Sequence, residues 1–299
     1  MTHPVLRGAY TALVTPFSAD GEDVDIPALE QLVERQIAGK IAGLVPCGTT
    51  GETPTLTDSE QAEVIRRTVQ VVRGRVPVFA GTGTFSTKKT IEASKRALEA
   101  GATGVMVVMP YYSKPTQDGL FEHVAAVARA VSDAPIILYN IPGRCGIDLA
   151  VETTERIASA CPNVIATKEA TGNILRCQDL KRRLGDRLTV MSGDDSLTLA
   201  MMAVGAAGVI SVTSNVYPAE VSEVVALAEK GAWAEARAAH FRLLPVHDAM
   251  FIESNPGPVK AVAAAKEHMS ASVRLPLVAA SEATRAKLAE VVGRFEVRA

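Results

Sequence analysis

Eight short runs of β-branched and apolar residues recur along the chain at intervals of about 20 to 35 residues, and this rhythm constrains the fold more than any other feature. They are Ala9 to Val14, Gly43 to Pro46, Val76 to Ala80, Gly104 to Met109, Pro135 to Tyr139, Val164 to Lys168, Leu188 to Ser192 and Gly208 to Val212. Amphipathic stretches rich in Ala, Glu and Arg lie between them, such as Ile26 to Ala38, Ser59 to Val72, Thr87 to Ala100 and Leu120 to Ala130. Parallel strands need a crossover of a dozen or more residues, which a helix supplies, so eight such units predict a closed (β/α)8 TIM barrel. A chain of 299 residues that is 47% hydrophobic can bury the aliphatic core such a barrel requires and leaves residues over for an appendage.

The spacing places the barrel in residues 1–218 and a C-terminal helical region in residues 219–299. There the apolar periodicity is helical in Ala219 to Lys230, Trp233 to Phe241 and Val259 to His268, interrupted by Ser254-Asn255-Pro256-Gly257-Pro258. A weak repeat marks three helix-to-strand junctions: Ala38-Gly39-Lys40-Ile41-Ala42-Gly43, Ala100-Gly101-Ala102-Thr103-Gly104 and Val204-Gly205-Ala206-Ala207-Gly208. The first glycine of each is expected in the left-handed position after a helix and the second at a tight entry into the next strand.

Several function classes are disfavoured. Thirty-one basic against thirty-three acidic residues give a net charge of −2, so no electrostatic footprint points to nucleic acid or an anionic membrane. The N-terminus, Met1-Thr2-His3-Pro4-Val5-Leu6-Arg7, lacks the pattern of a signal peptide, and no apolar stretch is long enough to span a bilayer, so a cytoplasmic location is expected. Cys47, Cys145, Cys161 and Cys177 are far apart, and His3, His123, His240, His247 and His268 form no HExxH or close helical pair, so neither a disulfide framework nor a zinc site is expected.

In a barrel of this kind, chemistry belongs at the carboxyl ends of the strands. The sixth run ends in Lys168, which alternation places on the same face as Val164 and Ala166. Facing the interior, its ammonium would be desolvated and its pKa lowered, making an amine able to attack a carbonyl; facing out, it would simply cap a strand. The fifth run ends in Tyr139, either a proton relay or a core phenol, and is followed by Arg144, either a carboxylate clamp or a surface ion-pair partner. Gly48-Thr49-Thr50-Gly51-Glu52 follows the second run and is able to grip a small anion, though glycine-threonine loops are common turns; Gly81-Thr82-Gly83-Thr84 carries weight mainly as turn chemistry. Tyr111-Tyr112 after the fourth run fits an interface or core pair, and helix capping accounts for Asp194-Asp195 better than a metal does.

Taken jointly, Gly48-Thr49-Thr50-Gly51-Glu52, Pro110-Tyr111-Tyr112, Tyr139-Asn140-Ile141-Pro142 with Arg144, Lys168-Glu169-Ala170-Thr171-Gly172-Asn173, Ser192-Gly193-Asp194-Asp195, Gly208-Val209-Ile210-Ser211-Val212-Thr213 and Asn255-Pro256-Gly257-Pro258-Val259-Lys260 closely resemble the 4-hydroxy-tetrahydrodipicolinate synthase (dihydrodipicolinate synthase) family over essentially the whole chain. The resemblance implies a lyase of lysine (diaminopimelate) biosynthesis that condenses pyruvate with L-aspartate-4-semialdehyde without metal or organic cofactor, through a covalent pyruvate imine on Lys168. It implies Tyr139 as proton relay, linked through Thr49 to Tyr112 of a neighbouring subunit, in a homotetramer built as a dimer of dimers. It further implies that Thr49 and Thr50 hold the pyruvate carboxylate, Arg144 the carboxylate of the semialdehyde, and that Gly193 and Ile210 line the pocket.

Related pyruvate-dependent enzymes, such as N-acetylneuraminate lyase or keto-deoxy sugar acid aldolases, share the lysine and tyrosine; Arg144 and Thr50 favour the synthase. A non-catalytic keto-acid-binding barrel would have no use for a proton relay, and a metal-dependent aldolase would lose activity to a chelator. One departure from the family stands out. At the positions where lysine-sensitive members carry two histidines, an asparagine and a glutamate for feedback inhibition, this chain carries Asp58, Gln61, Phe85 and Lys89. Weak or no inhibition by lysine is therefore expected.

Overall fold

A computed structural model describes residues 6–297; the leader reading falls mainly on residues 1–5, outside it. The strands are β1 Gly8–Ala12, β2 Gly43–Val45, β3 Phe79–Gly81, β4 Gly104–Val108, β5 Ile136–Asn140, β6 Val164–Glu169, β7 Thr189–Ser192 and β8 Gly208–Ser211. They pair in parallel in the order β2-β1-β8-β7-β6-β5-β4-β3. A parallel bridge between Leu44 and Val78, with Leu44 N–H donating to Pro77 O (3.0 Å), joins the two ends and completes the barrel. β3 begins later than the apolar run at Val76 because Pro77 has no N–H to give a ladder.

The helices are α1 Ile26–Ala38, α2 Asp58–Val72, α3 Thr87–Glu99, α4 Gln117–Ala130, the single turn α5 Pro142–Cys145, α6 Val151–Ala160, α7 Ile174–Leu184, α8 Thr198–Ala203, α9 Pro218–Glu229, α10 Trp233–Ala249, α11 Gly257–Ala265 and α12 Glu282–Glu296. Their starts follow local hydrogen bonding. Thr57 and Glu60 form a reciprocal capping box at α2, and Thr116 caps α4 four residues before the apolar pattern begins at Leu120. α9 packs on β1 and α1, and α10 packs on α9 and α12. α10 continues past Phe241 and through Pro245, and α12 is a further helix in the C-terminal region.

The core has two layers. Leu44, Val105, Leu138 and Val209 of the strands face the helices, whose own buried residues include Val33 of α1, whereas Tyr10, Val45, Phe79, Met106, Ile137, Tyr139, Ala166, Met191 and Ile210 fill the barrel. Two expectations need correction. Between Ile136 and Ile137 the β5–β6 register skips Ile165, so Val164 lies in the outer layer and only Ala166 shares the interior with Tyr139. At the first repeat Gly39 has φ −77° and Lys40 takes the left-handed turn (φ 63°), while Gly101 (φ 97°) and Gly205 (φ 105°) do so themselves. Gly39 is required there for another reason, since a Cβ would overlap the Pro218 ring of α9.

Candidate active site

The barrel opens, at the carboxyl ends of its strands, into a cavity of about 220 Å³. Its wall combines Cys47, Gly48 and Thr49 after β2, Gly81 to Gly83 at the end of β3 and just beyond it, Tyr111 after β4, and Tyr139, Ile141, Arg144 and Cys145 from β5, α5 and the link between them. The register pairs Tyr139 with Lys168 across β5 and β6. Lys168 is only 4% exposed, and its Nζ lies 4.3 Å from the centre of the Tyr139 ring. Contact of an ammonium with a ring face is attractive and fixes the amine beside the phenol that lines the cavity.

The next residue in each strand points the other way. Asn140 Nδ2 donates to Asp148 Oδ1 (2.7 Å), Asn140 Oδ1 accepts from Leu149 N–H (3.1 Å), and Arg176 Nε donates to the buried Glu169 Oε2 (2.7 Å). The carboxylate next to Lys168 in sequence is thus engaged outside the barrel. Thr171 N–H donates to Glu169 Oε1 (3.0 Å), which binds the β6 loop to the same network. On the interior face Ile210 is fully buried beside Ala166 and Met191. Gly193 packs against Ala170, where a Cβ would fall 2.6 Å from the alanine methyl, and its N–H donates to Glu169 O (2.7 Å).

The loop after β2 is held from the far end of the chain. Asn255 Nδ2 donates to Thr50 Oγ1 (2.9 Å), and the fully buried Lys260 Nζ donates to Glu52 Oε1 (2.5 Å) and Ser272 O (2.8 Å). Lys260 also lies 4.1 Å from the centre of the Phe17 ring, and burial pulls its pKa down to about 8. Glu52 Oε2 accepts from Arg274 N–H (3.0 Å). Cys47 (φ 55°) and Glu52 (φ 56°) both adopt left-handed backbone, a conformation unfavourable for residues with a Cβ, and these contacts hold Glu52 in it.

Thr49, Tyr139, Arg144 and Lys168 are therefore brought together, and Thr50 adjoins them through the loop. Tyr112 is not: it is 92% exposed at φ 72°, and the neighbouring Tyr111 lines the cavity and meets Phe85 edge-on (5.5 Å). Asp194 caps the turn Asp195–Leu197 by accepting from Ser196 N–H (2.9 Å), as capping predicts. Asp195 does something else, accepting from Val212 N–H (2.8 Å) and Thr213 N–H (3.2 Å) to tie the β7 loop to β8. Gly81 and Gly83, assigned mainly to turn chemistry, also line the cavity, and a Cβ on either would overlap the Cys47 or Val108 backbone. Burial drives the Cys47 and Cys145 thiols up to about 12 and about 11, so both are unreactive at neutral pH.

A second, smaller cavity of about 160 Å³ shares Thr53, Gly81, Thr82 and Gly83 with the first and gathers Asp58, Gln61 and Lys89. Asp58 pairs with Arg96 (2.9 Å), Gln61 donates to Thr53 O (3.2 Å), and Lys89 Nζ stands 5.9 Å from the Phe85 ring centre.

The model of the dihydrodipicolinate synthetase family matches residues 5–294. The chain belongs to that family. It is 65% identical over 298 residues, covering 100% of this chain and 99% of the relative, to the 4-hydroxy-tetrahydrodipicolinate synthase of Sorangium cellulosum (strain So ce56). To that of Thermomicrobium roseum (strain ATCC 27502 / DSM 5159 / P-2) it is 49% identical, covering 95% and 93%. Among solved structures it superposes with a TM-score of 0.96 on the 4-hydroxy-tetrahydrodipicolinate synthase of Methylacidiphilum fumariolicum SolV, at 42% identity and 98% and 97% coverage. The chloride-inhibited dihydrodipicolinate synthase of Acinetobacter baumannii, complexed with pyruvate, gives a TM-score of 0.95 at 40% identity and 98% and 100% coverage. The (β/α)8 barrel with its C-terminal helices is thus shared with the solved members of the family.

Proposed function

We propose that this member of the dihydrodipicolinate synthase family is a lyase that condenses pyruvate with L-aspartate-4-semialdehyde in lysine biosynthesis. The observation that carries the reading is the buried Lys168 amine against the Tyr139 ring, beside a cavity that also holds Thr49 and Arg144. The neutral Lys168 amine attacks the ketone carbon of pyruvate, and loss of water leaves an iminium. Loss of a methyl proton, relayed by Tyr139, gives an enamine whose carbon attacks the aldehyde. The substrate's own amino group then displaces Lys168 from the imine carbon, closing the ring and restoring the enzyme. No external oxidant or reductant enters.

Thr49 and Thr50 hold the pyruvate carboxylate, Arg144 holds that of the semialdehyde, and Gly193 and Ile210 line the pocket around the lysine. Tyr112 serves a neighbouring subunit: an aromatic side chain so exposed, on left-handed backbone, suits insertion into a second copy, and a homotetramer of paired dimers follows from the family resemblance. None of the described helices is long and apolar enough to cross a membrane. We further assign residues 1–218 to the catalytic unit and 219–299 to a helical region that supports it.

A coupled assay tests the reaction: turnover with pyruvate and semialdehyde, and little or none in cleavage of keto-deoxy sugar acids or N-acetylneuraminate, is expected. The reverse preference would reassign the chain within the aldolases. Lys89 beside the second cavity repels a cationic ligand, so millimolar lysine should leave the rate unchanged; inhibition with lysine bound at that cavity would refute the assignment of Lys89.

A further inference from the structure

Thr50 lies in the loop that follows β2, only 3% exposed, and its Oγ1 receives a hydrogen bond from Asn255 Nδ2 at 2.9 Å. A hydroxyl has one proton and two acceptor sites. With one acceptor site filled by the asparagine, the proton must leave the oxygen in another direction, and among the described residues it meets no acceptor. The asparagine's own orientation is informative. Its Oδ1 is buried without a partner, and the reversed amide would leave an NH₂ group stranded there instead, a less common arrangement than an under-satisfied carbonyl.

The segment that brings Asn255 to Thr50 continues into α11, where Lys260 reaches Glu52 two residues beyond Thr50. Both partners of that ion pair are essentially inaccessible to water, and Arg274 N–H holds the second carboxylate oxygen. The two contacts span 205 and 208 residues of sequence, so the C-terminal region grips the loop at two points on either side of Gly51. A left-handed Glu52 is unfavourable by itself, and the buried pair supplies the interaction that keeps it so.

We propose that Asn255 is a positioning residue for the reaction: by donating to Thr50 Oγ1 it turns the threonine proton toward the substrate carboxylate, while Lys260 holds the loop through Glu52. The inference rests on the reading of residues 48–52 as the grip for pyruvate. The C-terminal helices are then part of the substrate site without touching the substrate.

The test reverses the polarity of the contact. Asn255→Asp has nearly the same shape, but a carboxylate accepts from Thr50 and takes the proton away from the substrate. Steady-state assays of the full-length protein should show half-saturating pyruvate raised about tenfold or more, with kcat at saturating pyruvate within about threefold of the unmodified protein. Asn255→Ala and Thr50→Val should raise it by similar factors, and the double variant no further than either alone. These two variants carry the test if Asn255→Asp does not fold.

A merely structural role would lower Tm and yield without this split between KM and kcat. An unchanged half-saturating pyruvate in a folded Asn255 variant, or additive effects in the double variant, overturns the proposal. Borohydride trapping of pyruvate on the unmodified protein separates the two layers: no adduct would overturn the reading of the loop itself, whereas an adduct with no effect of Asn255 would overturn only the positioning role.

Discussion

The Lys168 amine stands 4.3 Å from the centre of the Tyr139 ring, close enough for the proposed proton relay to be tested at a single atom. Removing only the phenol oxygen separates position from proton transfer: Tyr139→Phe keeps the ring under Lys168 and should lower kcat by about 10² to 10⁴, the usual worth of a positioned acid–base group. A kcat within threefold would remove Tyr139 from the relay. Arg144 is exposed on α5 and lines the cavity, so Arg144→Ala should leave pyruvate adduct formation intact while kcat/KM for the semialdehyde falls about 10²-fold, the scale of a bidentate charge-assisted contact. Equal loss of both steps would make the arginine structural. At this scale the sequence pointed to Lys168, Tyr139 and Arg144 because each sits at a strand end or just beyond one. Tyr111 as a wall residue was hidden, since in a Tyr-Tyr pair the positive φ of the second decides which ring turns in, and backbone handedness is not written in the pair itself.

Elements place these residues through register and through contacts remote in sequence. The β5–β6 register puts Lys168 beside Tyr139, yet a skip at Ile165 defeats simple alternation from Val164, a break that no local pattern of Val-Ile-Ala-Thr-Lys announces. Strand and helix positions were legible because period and length differ sharply between the two. The grip of Asn255 and Lys260 on the β2 loop was not, because a segment of Pro and Gly announces only a helix break, and its partners lie some two hundred residues away. That grip has a pH signature. Burial lowers the Lys260 pKa to about 8, so the folded chain loses this proton, and with it the attraction to Glu52, as pH rises through about 8. Half-saturating pyruvate should rise across that interval, and Lys260→Met should have a raised value already at pH 7 with no further inflection near 8. The same inflection in Lys260→Met would assign it to another group.

Across the whole molecule, buried imidazoles make the fold sensitive to acid. His123 of α4, whose Nδ1 hydrogen-bonds Thr87 Oγ1 of α3 (2.9 Å), is held by burial at about 4 instead of the usual 6.5. His240 and His247 of α10, which hydrogen-bond Ser196 O after β7 and Thr213 Oγ1 after β8, are lowered by burial as well. Because the folded pKa is depressed, the unfolded chain takes up protons first as pH falls below 6.5, and stability declines until the folded His123 protonates near 4. Glu60, held near 2 chiefly by its hydrogen bonds with Arg274, adds to the same loss below its ordinary 4.5. The His123 share is up to about 3 kcal/mol. Thermal or denaturant melts from pH 7 to 4 should show the decline, and His123→Asn, which keeps a partner for Thr87 and does not titrate, should flatten it. An unaltered slope in that variant would place the acid sensitivity elsewhere.

Every proposed step follows from Lys168 forming an imine with pyruvate, and reduction reads that out directly. Borohydride added to the protein with pyruvate should increase the intact mass by one reduced pyruvate, and peptide mapping should place the adduct on Lys168, with none formed in Lys168→Ala. A folded protein with no adduct, or an adduct on another lysine such as Lys260, would contradict the account at its centre.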